Sequence, residues 1–88
     1  MVRRRLVISG RVQGVWFRAG CAREAEAAQV AGWARNLPDG RVEVVLEGTI
    51  EAVARVESWC QSGPGHATVT AVVGKDETPT GARGFDIV

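Results

Sequence analysis

Two stretches of this sequence carry residue types that could do chemistry, and the first is Ser9-Gly10-Arg11-Val12-Gln13-Gly14-Val15-Trp16-Phe17-Arg18. The β-branched run Leu6-Val7-Ile8 precedes it, and an alanine-rich run of straight-chain residues follows. It therefore sits where a strand gives way to a helix. Such a junction, opened by glycines, can turn consecutive backbone N–H groups toward one point at the positive end of the helix dipole, which makes an anion site. Arg18, where the helix begins, adds a permanent charge and a planar fork that matches phosphate oxygens. Taken alone, Gly14 could simply permit a tight turn and Arg18 could be a solvated first-turn residue. A Walker loop is excluded, because no Gly-Lys-Ser/Thr follows.

The second stretch is Gly32-Trp33-Ala34-Arg35-Asn36-Leu37-Pro38-Asp39-Gly40-Arg41-Val42, running on through Glu43 and Glu47 to Gly48. Asn36 lies beside a proline turn, so by itself it reads as a turn residue that hydrogen-bonds local backbone. The lone histidine, His66, stands just before a strand and reads as a turn residue. Cys21 and Cys60 are far apart and have no CxxC partner, so a zinc or iron–sulfur site lacks ligands. Each falls in a helical stretch, where a free cysteine behaves as a small buried apolar residue. A reduced, cytoplasmic compartment follows as the expectation.

The elements that must position these residues can be read from periodicity. Strand one covers residues 6–10, reaching Val12 if Gly10 and Arg11 form a bend. Residues 18–31 predict a helix with Cys21, Ala25 and Ala28 at helical spacing, stopped by Gly32. Residues 33–37 and 41–47 form a hairpin about Pro38-Asp39-Gly40, with Val42, Val44 and Leu46 on one face. Thr49 caps a second helix whose inward stripe is Ile50, Val53, Val56 and Cys60, and Gly63-Pro64-Gly65 closes it. Ala67, Val69, Ala71 and Val73 alternate as a strand, residues 75–84 are polar and turn-rich, and residues 85–88 make a last short strand. Trp59 and Phe85 are expected in the core. This order predicts an α+β, ferredoxin-like α/β sandwich (βαββαβ plus a short final strand), an antiparallel sheet with both helices on one face. That architecture hosts binders and enzymes alike, so function must come from the site.

Composition narrows the field. At 88 residues, 45% hydrophobic and 24% charged, residues 1–88 read as a single globular domain rather than a disordered chain. Eleven basic residues against ten acidic ones give a net charge of +1, which argues against a broad nucleic-acid surface. The aromatic RNP1 pattern of RNA-binding sandwiches is also absent. Arg3, Arg4 and Arg5, the one basic cluster, read as the solvated start of a strand. No apolar run approaches the about 18 residues of a membrane span, and there is no signal-peptide core. The expectation is a soluble monomer with no membrane or nucleic-acid partner.

Taken together, the two stretches resemble the acylphosphatase family. Its first signature, an apolar residue, any residue, Gly, any residue, Val-Gln-Gly-Val, any residue, Phe or Met, Arg, is supplied by residues 8–18. Its second, Gly, aromatic, small, basic, Asn, three residues, Gly, one residue, Val, five residues, Gly, is met from Gly32 through Gly48 without a gap. The resemblance spans essentially the whole chain. It implies hydrolysis of small-molecule acyl phosphates to a carboxylate and inorganic phosphate, with neither metal nor cofactor. It implies that Gln13, Gly14, Val15, Trp16, Phe17 and Arg18 form the phosphate-binding loop, that Arg18 is the phosphate-binding arginine, and that Asn36 positions the attacking water. Trp16 departs from the glycine that many members carry in that slot, and it sets an indole beside the loop, where it narrows access or contacts the acyl group. The alternative is a non-catalytic phosphate- or carbamoyl-sensing module of the same fold.

Overall fold

The computed structural model describes residues 1–88. In chain order the elements are β1 (Val2–Arg11), α1 (Phe17–Ala27), β2 (Ala31–Asn36), β3 (Val42–Gly48), α2 (Ile50–Cys60), β4 (Thr68–Glu77) and β5 (Phe85–Ile87). The sheet runs β4-β1-β3-β2-β5. Its neighbours pair antiparallel, except that β5 joins β2 in parallel. Helix α1 lies over β2 and β5, and α2 over β1 and β3. This is the ferredoxin-like sandwich expected from the element order, with the last strand added beyond β2.

The core forms where the inward faces meet. Leu6 and Ile8 of β1, Ala34 of β2 and Val42, Val44 and Leu46 of β3 face Phe17, Cys21 and Ala25 of α1 and Val53, Val56 and Cys60 of α2. Trp59 tilts onto Phe17 with ring centroids 5.3 Å apart, and Phe85 packs at the margin. Ile50, expected on the inward stripe, is exposed. It opens α2, and a helical side chain leans back over the turn before it, here past the sheet.

The boundaries differ from the sequence reading in three main places, the first being β1, which starts at Val2 rather than Leu6 because β3 pairs with it from there. Helix α1 stops four residues early: Gln29 takes the left-handed conformation at φ 58°. Its N–H bonds to Glu26 O at 3.1 Å, while Val30 N–H reaches Ala25 O at 2.8 Å. That pair of bonds is a Schellman stop, so Gly32 lies inside β2 instead. Strand β4 runs on through the polar Lys75, Asp76 and Glu77, because β1 keeps pairing with it as far as Arg3 opposite Glu77.

A bulge breaks the expected alternation in β4. The β1–β4 register shifts between Ser9, opposite Ala71, and Gly10, opposite Val69. Val69 and Val72 therefore both reach the core while Val73 is exposed. Gly10 has φ 122°, and a Cβ there would stand 2.0 Å from Thr68 O. Only glycine fits that approach, and the bend starts the turn that leads β1 toward α1.

The other face of the sheet carries a charge lattice instead of a second layer. Arg3 reaches Glu47 at 3.0 Å and Glu77 at 3.1 Å; Arg5 reaches Glu77 and Glu43 at 2.6 Å, and Arg35 meets Glu43 at 2.6 Å. The guanidiniums of Arg5 and Arg35 lie 5.4 and 5.3 Å from the Trp33 ring, and Val45 is fully buried in this layer. On the helix side Arg4 makes two 3.0 Å bonds to Glu57. Arg3, Arg4 and Arg5 are thus structural cations rather than a solvated strand start, because strand register brings carboxylates to both faces of β1. Burial alone would raise the Glu43 pKa, but the bonds from Arg5 and Arg35 outweigh it and hold the carboxyl below its usual range. Glu47 accepts from the N–H groups of Thr80, Gly81 and Ala82 at 3.0, 2.7 and 3.1 Å. These bonds, Thr80 first, together with Arg3 hold its pKa down to about 2 against the opposing effect of burial. The same bonds pin the crossover that delivers β5 to β2. No helix is long and apolar enough to cross a membrane.

Candidate active site

The β1–α1 junction is held by three buried side chains, Val12, Val15 and Phe17. Between them Gly14 at φ 73° and Trp16 at φ 66° turn the chain through left-handed conformations. Trp16 occupies the N-cap position of α1 and makes no side-chain cap, and the first turn holds no acid. Helix α2, also 11 residues long, shows the ordinary arrangement. There Thr49 accepts from Ala52 N–H at 3.1 Å, and Glu51 occupies the first turn. In α1 the N–H of Gly20 is the first to bond back, to Trp16 O at 3.0 Å. The N–H groups of residues 13–19 donate to no protein acceptor. A run of free donors at the positive end of a helix, with an arginine where a carboxylate would normally sit, is an arrangement that can receive an anion.

Arg18 is half-buried. It forms no ion pair, unlike Arg3, Arg4, Arg5, Arg35 and Arg41. Asn36 ends β2 opposite Val42. Its role as a local turn-former is not seen. The turn is closed instead by Leu37 N–H to Arg41 O at 2.8 Å, by Gly40 N–H to Leu37 O at 3.1 Å, and by Arg41 N–H to the Asp39 carboxylate at 3.1 Å. The Asn36 amide is left exposed. Arg18, Asn36 and Gly14 line one cleft of about 310 Å³ with Val12, Trp16, Phe17, Ala19 and Ile87.

Gln13 stands apart from the rest of the loop. Its Nε2 donates to Leu37 O at 2.7 Å and to Arg41 O at 2.9 Å. Both amide protons are thereby spent on the β2–β3 turn, leaving only the backbone N–H for an anion. The side chain staples the turn that carries Asn36 to the loop that carries Arg18. Ile87 is a lining residue that sequence reasoning missed, since it arrives only through the parallel pairing of β5 with β2. Elsewhere His66 is an exposed turn residue. Cys21 and Cys60 are free and buried, and the Cys60 thiol is pushed up by the neighbouring Cys21 and by burial, which leaves it unreactive. No three His, Cys, Asp or Glu side chains gather as metal ligands.

Comparison with known proteins agrees with this geometry. The acylphosphatase family pattern matches residues 4–87. An acylphosphatase of Roseiflexus sp. (strain RS-1) is 55% identical over 89 aligned positions that cover 100% of this chain and 96% of that protein. One of Chloroflexus aurantiacus is 56% identical, with coverages of 100% and 97%. The crystal structure of acylphosphatase from Bacillus subtilis superimposes with a TM-score of 0.97 at 35% identity, covering 100% of this chain and 99% of that one. With both signature stretches meeting at one cleft, and with sequence and fold matched from end to end, the chain belongs to the acylphosphatase family.

Proposed function

We propose that this acylphosphatase hydrolyses its substrate by in-line attack of water, with the phosphoryl group held by residues 13–18 and Arg18 and the water aimed by Asn36. The observation that carries the reading is the uncapped start of α1, whose free N–H groups and unpaired Arg18 share one cleft with the free amide of Asn36.

The chemistry asks little of the protein. An acyl phosphate, R–CO–O–PO₃²⁻, takes up water at phosphorus, breaks its P–O bond to the acyl oxygen, and yields a carboxylate and dihydrogen phosphate. The carboxylate is stable at neutral pH, so the leaving group needs no general acid. What remains is to hold the phosphoryl group, neutralise charge on its equatorial oxygens and align the water. The loop N–H groups and the Arg18 fork do the first two. The Asn36 amide is far too weak a base to take a proton, so its carbonyl oxygen accepts from the water and orients it, while a phosphoryl oxygen of the substrate receives the proton. Gln13 is a positioning residue that keeps Asn36 in register with the loop. Every group invoked comes from one chain, so a monomer suffices, and two buried free thiols suit a reducing cytoplasm.

The test is hydrolysis of benzoyl phosphate, with EDTA present, by the wild type beside Arg18→Ala and Arg18→Lys. An arginine that stabilises a transferring phosphoryl group is worth about 10³–10⁵ in rate, and lysine cannot reproduce its fork. Both variants should be nearly inactive. Retention of about a tenth of wild-type activity by either, roughly 1.4 kcal/mol of lost stabilisation, would remove Arg18 from the role. A wild type that binds inorganic phosphate through Arg18 yet turns nothing over would make the site a receptor.

A further inference from the structure

We propose that Trp16 and Ile87 form an acyl-selective wall, so that this protein favours aromatic and branched apolar acyl phosphates over small polar ones. The inference rests on the acyl phosphate reading of the cleft and extends it to the part of the substrate that the loop does not hold.

Neither local backbone preference nor core packing accounts for Trp16. A bulky side chain at φ 66° is an outlier, since the left-handed region favours glycine and, after it, asparagine. Burial does not compensate, because the residue is 77% exposed. Strain of this kind is kept where a side chain serves a site. Ile87 offers the same signal from the other end of the chain. It is 48% exposed, yet it is held firmly by pairing with Ala34 and by the bond from Val88 N–H to Ala34 O at 3.0 Å. Both residues line the cleft that contains Arg18 and Asn36.

The substrate's geometry supplies the occupant. Its acyl carbon is joined to phosphorus through a single bridging oxygen, so a phosphoryl group seated against the loop N–H groups leaves the acyl group inside or at the mouth of the same cleft. The polar lining, Gly14, Arg18 and Asn36, is committed to phosphate and water. Beyond these, the lining is apolar, and no carboxylate is present to receive the amine of a carbamoyl group. At about 310 Å³ the cleft falls at the small end of the roughly 300–1,000 Å³ of small-molecule sites, which suits a single ring or branched chain.

The experiment measures kcat/KM for benzoyl phosphate and for acetyl phosphate with the wild type, Trp16→Asn and Ile87→Ser. Asparagine tolerates the left-handed backbone, so the first variant removes the indole and keeps the loop shape. Taking the benzoyl-to-acetyl ratio within each protein cancels any effect on the phosphoryl-holding groups, which both substrates share. The ratio should fall about 5- to 10-fold in Trp16→Asn, the scale of one lost aromatic contact, and should fall also in Ile87→Ser. A ratio unchanged in Trp16→Asn, with both substrates still hydrolysed, overturns the proposal and leaves the mechanism standing, and that variant decides if Ile87→Ser fails to fold. A wild type that hydrolyses neither substrate overturns both.

Discussion

Replacing Gln13 by leucine should slow turnover without emptying the phosphate site. The glutamine amide gives its two protons to Leu37 O at 2.7 Å and Arg41 O at 2.9 Å. Leucine is close in size and removes both donors. Neither carbonyl is orphaned, because Leu37 O keeps Gly40 N–H at 3.1 Å and Arg41 O keeps Leu37 N–H at 2.8 Å. The stability loss is therefore about 1–2 kcal/mol, the net worth of two neutral hydrogen bonds. The catalytic loss is larger, since a turn no longer tied to the loop lets Asn36 drift, and a misplacement of about 1 Å costs on the order of 10²-fold in an oriented attack. We expect kcat to fall about 10- to 100-fold. In the proposed mechanism the donors for phosphate are backbone N–H groups of a loop anchored by buried Val12, Val15 and Phe17, which the substitution does not touch. Inhibition by inorganic phosphate should thus stay within about threefold of wild type. Gln13→Glu, which cannot donate and sets a charge against two carbonyl oxygens, should lose phosphate affinity as well. Steady-state hydrolysis of benzoyl phosphate with phosphate as competitor, beside a thermal melt, measures all three quantities. A kcat within about twofold of wild type in Gln13→Leu would refute the staple, and equal losses in kcat and phosphate affinity would mean the side chain faces the phosphate after all.

Two further outcomes follow from the same geometry. Asn36→Ala removes one oriented hydrogen bond to the water and should lower kcat by about 10²–10³ with little change in phosphate inhibition; weakened phosphate inhibition at unchanged kcat would make Asn36 a phosphate ligand instead. Glu47 titrates near 2 in the fold against an ordinary value of 4.5, so its stabilisation is complete above pH 4.5 and is lost as pH falls toward 2. Glu47→Gln should cost about 2 kcal/mol at pH 7, roughly 10 °C in Tm for a domain of this size, with the gap from wild type closing between pH 4.5 and 2. A gap that stays constant across that window would show that charge is not what holds residues 80–82.

What could be read from the sequence divides along the range of the interactions involved. The alternation of Val42, Val44 and Leu46, the Thr49 cap and the Pro38-Asp39-Gly40 turn are local, and each produced the element expected of it. Arg18 and Asn36 were legible through the two signature stretches, and the cleft brings them together. The features that escaped depend on partners distant in sequence. Arg3 and Arg5 read as solvated because Glu43, Glu47 and Glu77 face them only in the folded register, and Val73 points outward because pairing with the distant β1 leaves Thr70 as a bulge that shifts the phase of β4. Gln13 carried no turn or cap signal, and its bonds span 24 and 28 residues. Trp16 shows why these long-range terms matter for chemistry. Its left-handed backbone stands between two buried residues, Val15 and Phe17, against the preference of a bulky side chain. With the loop anchored by these core residues, the side chain in slot 16 lines the cleft from outside the core, and under the proposed reading it can differ and face the acyl group without moving the phosphate site.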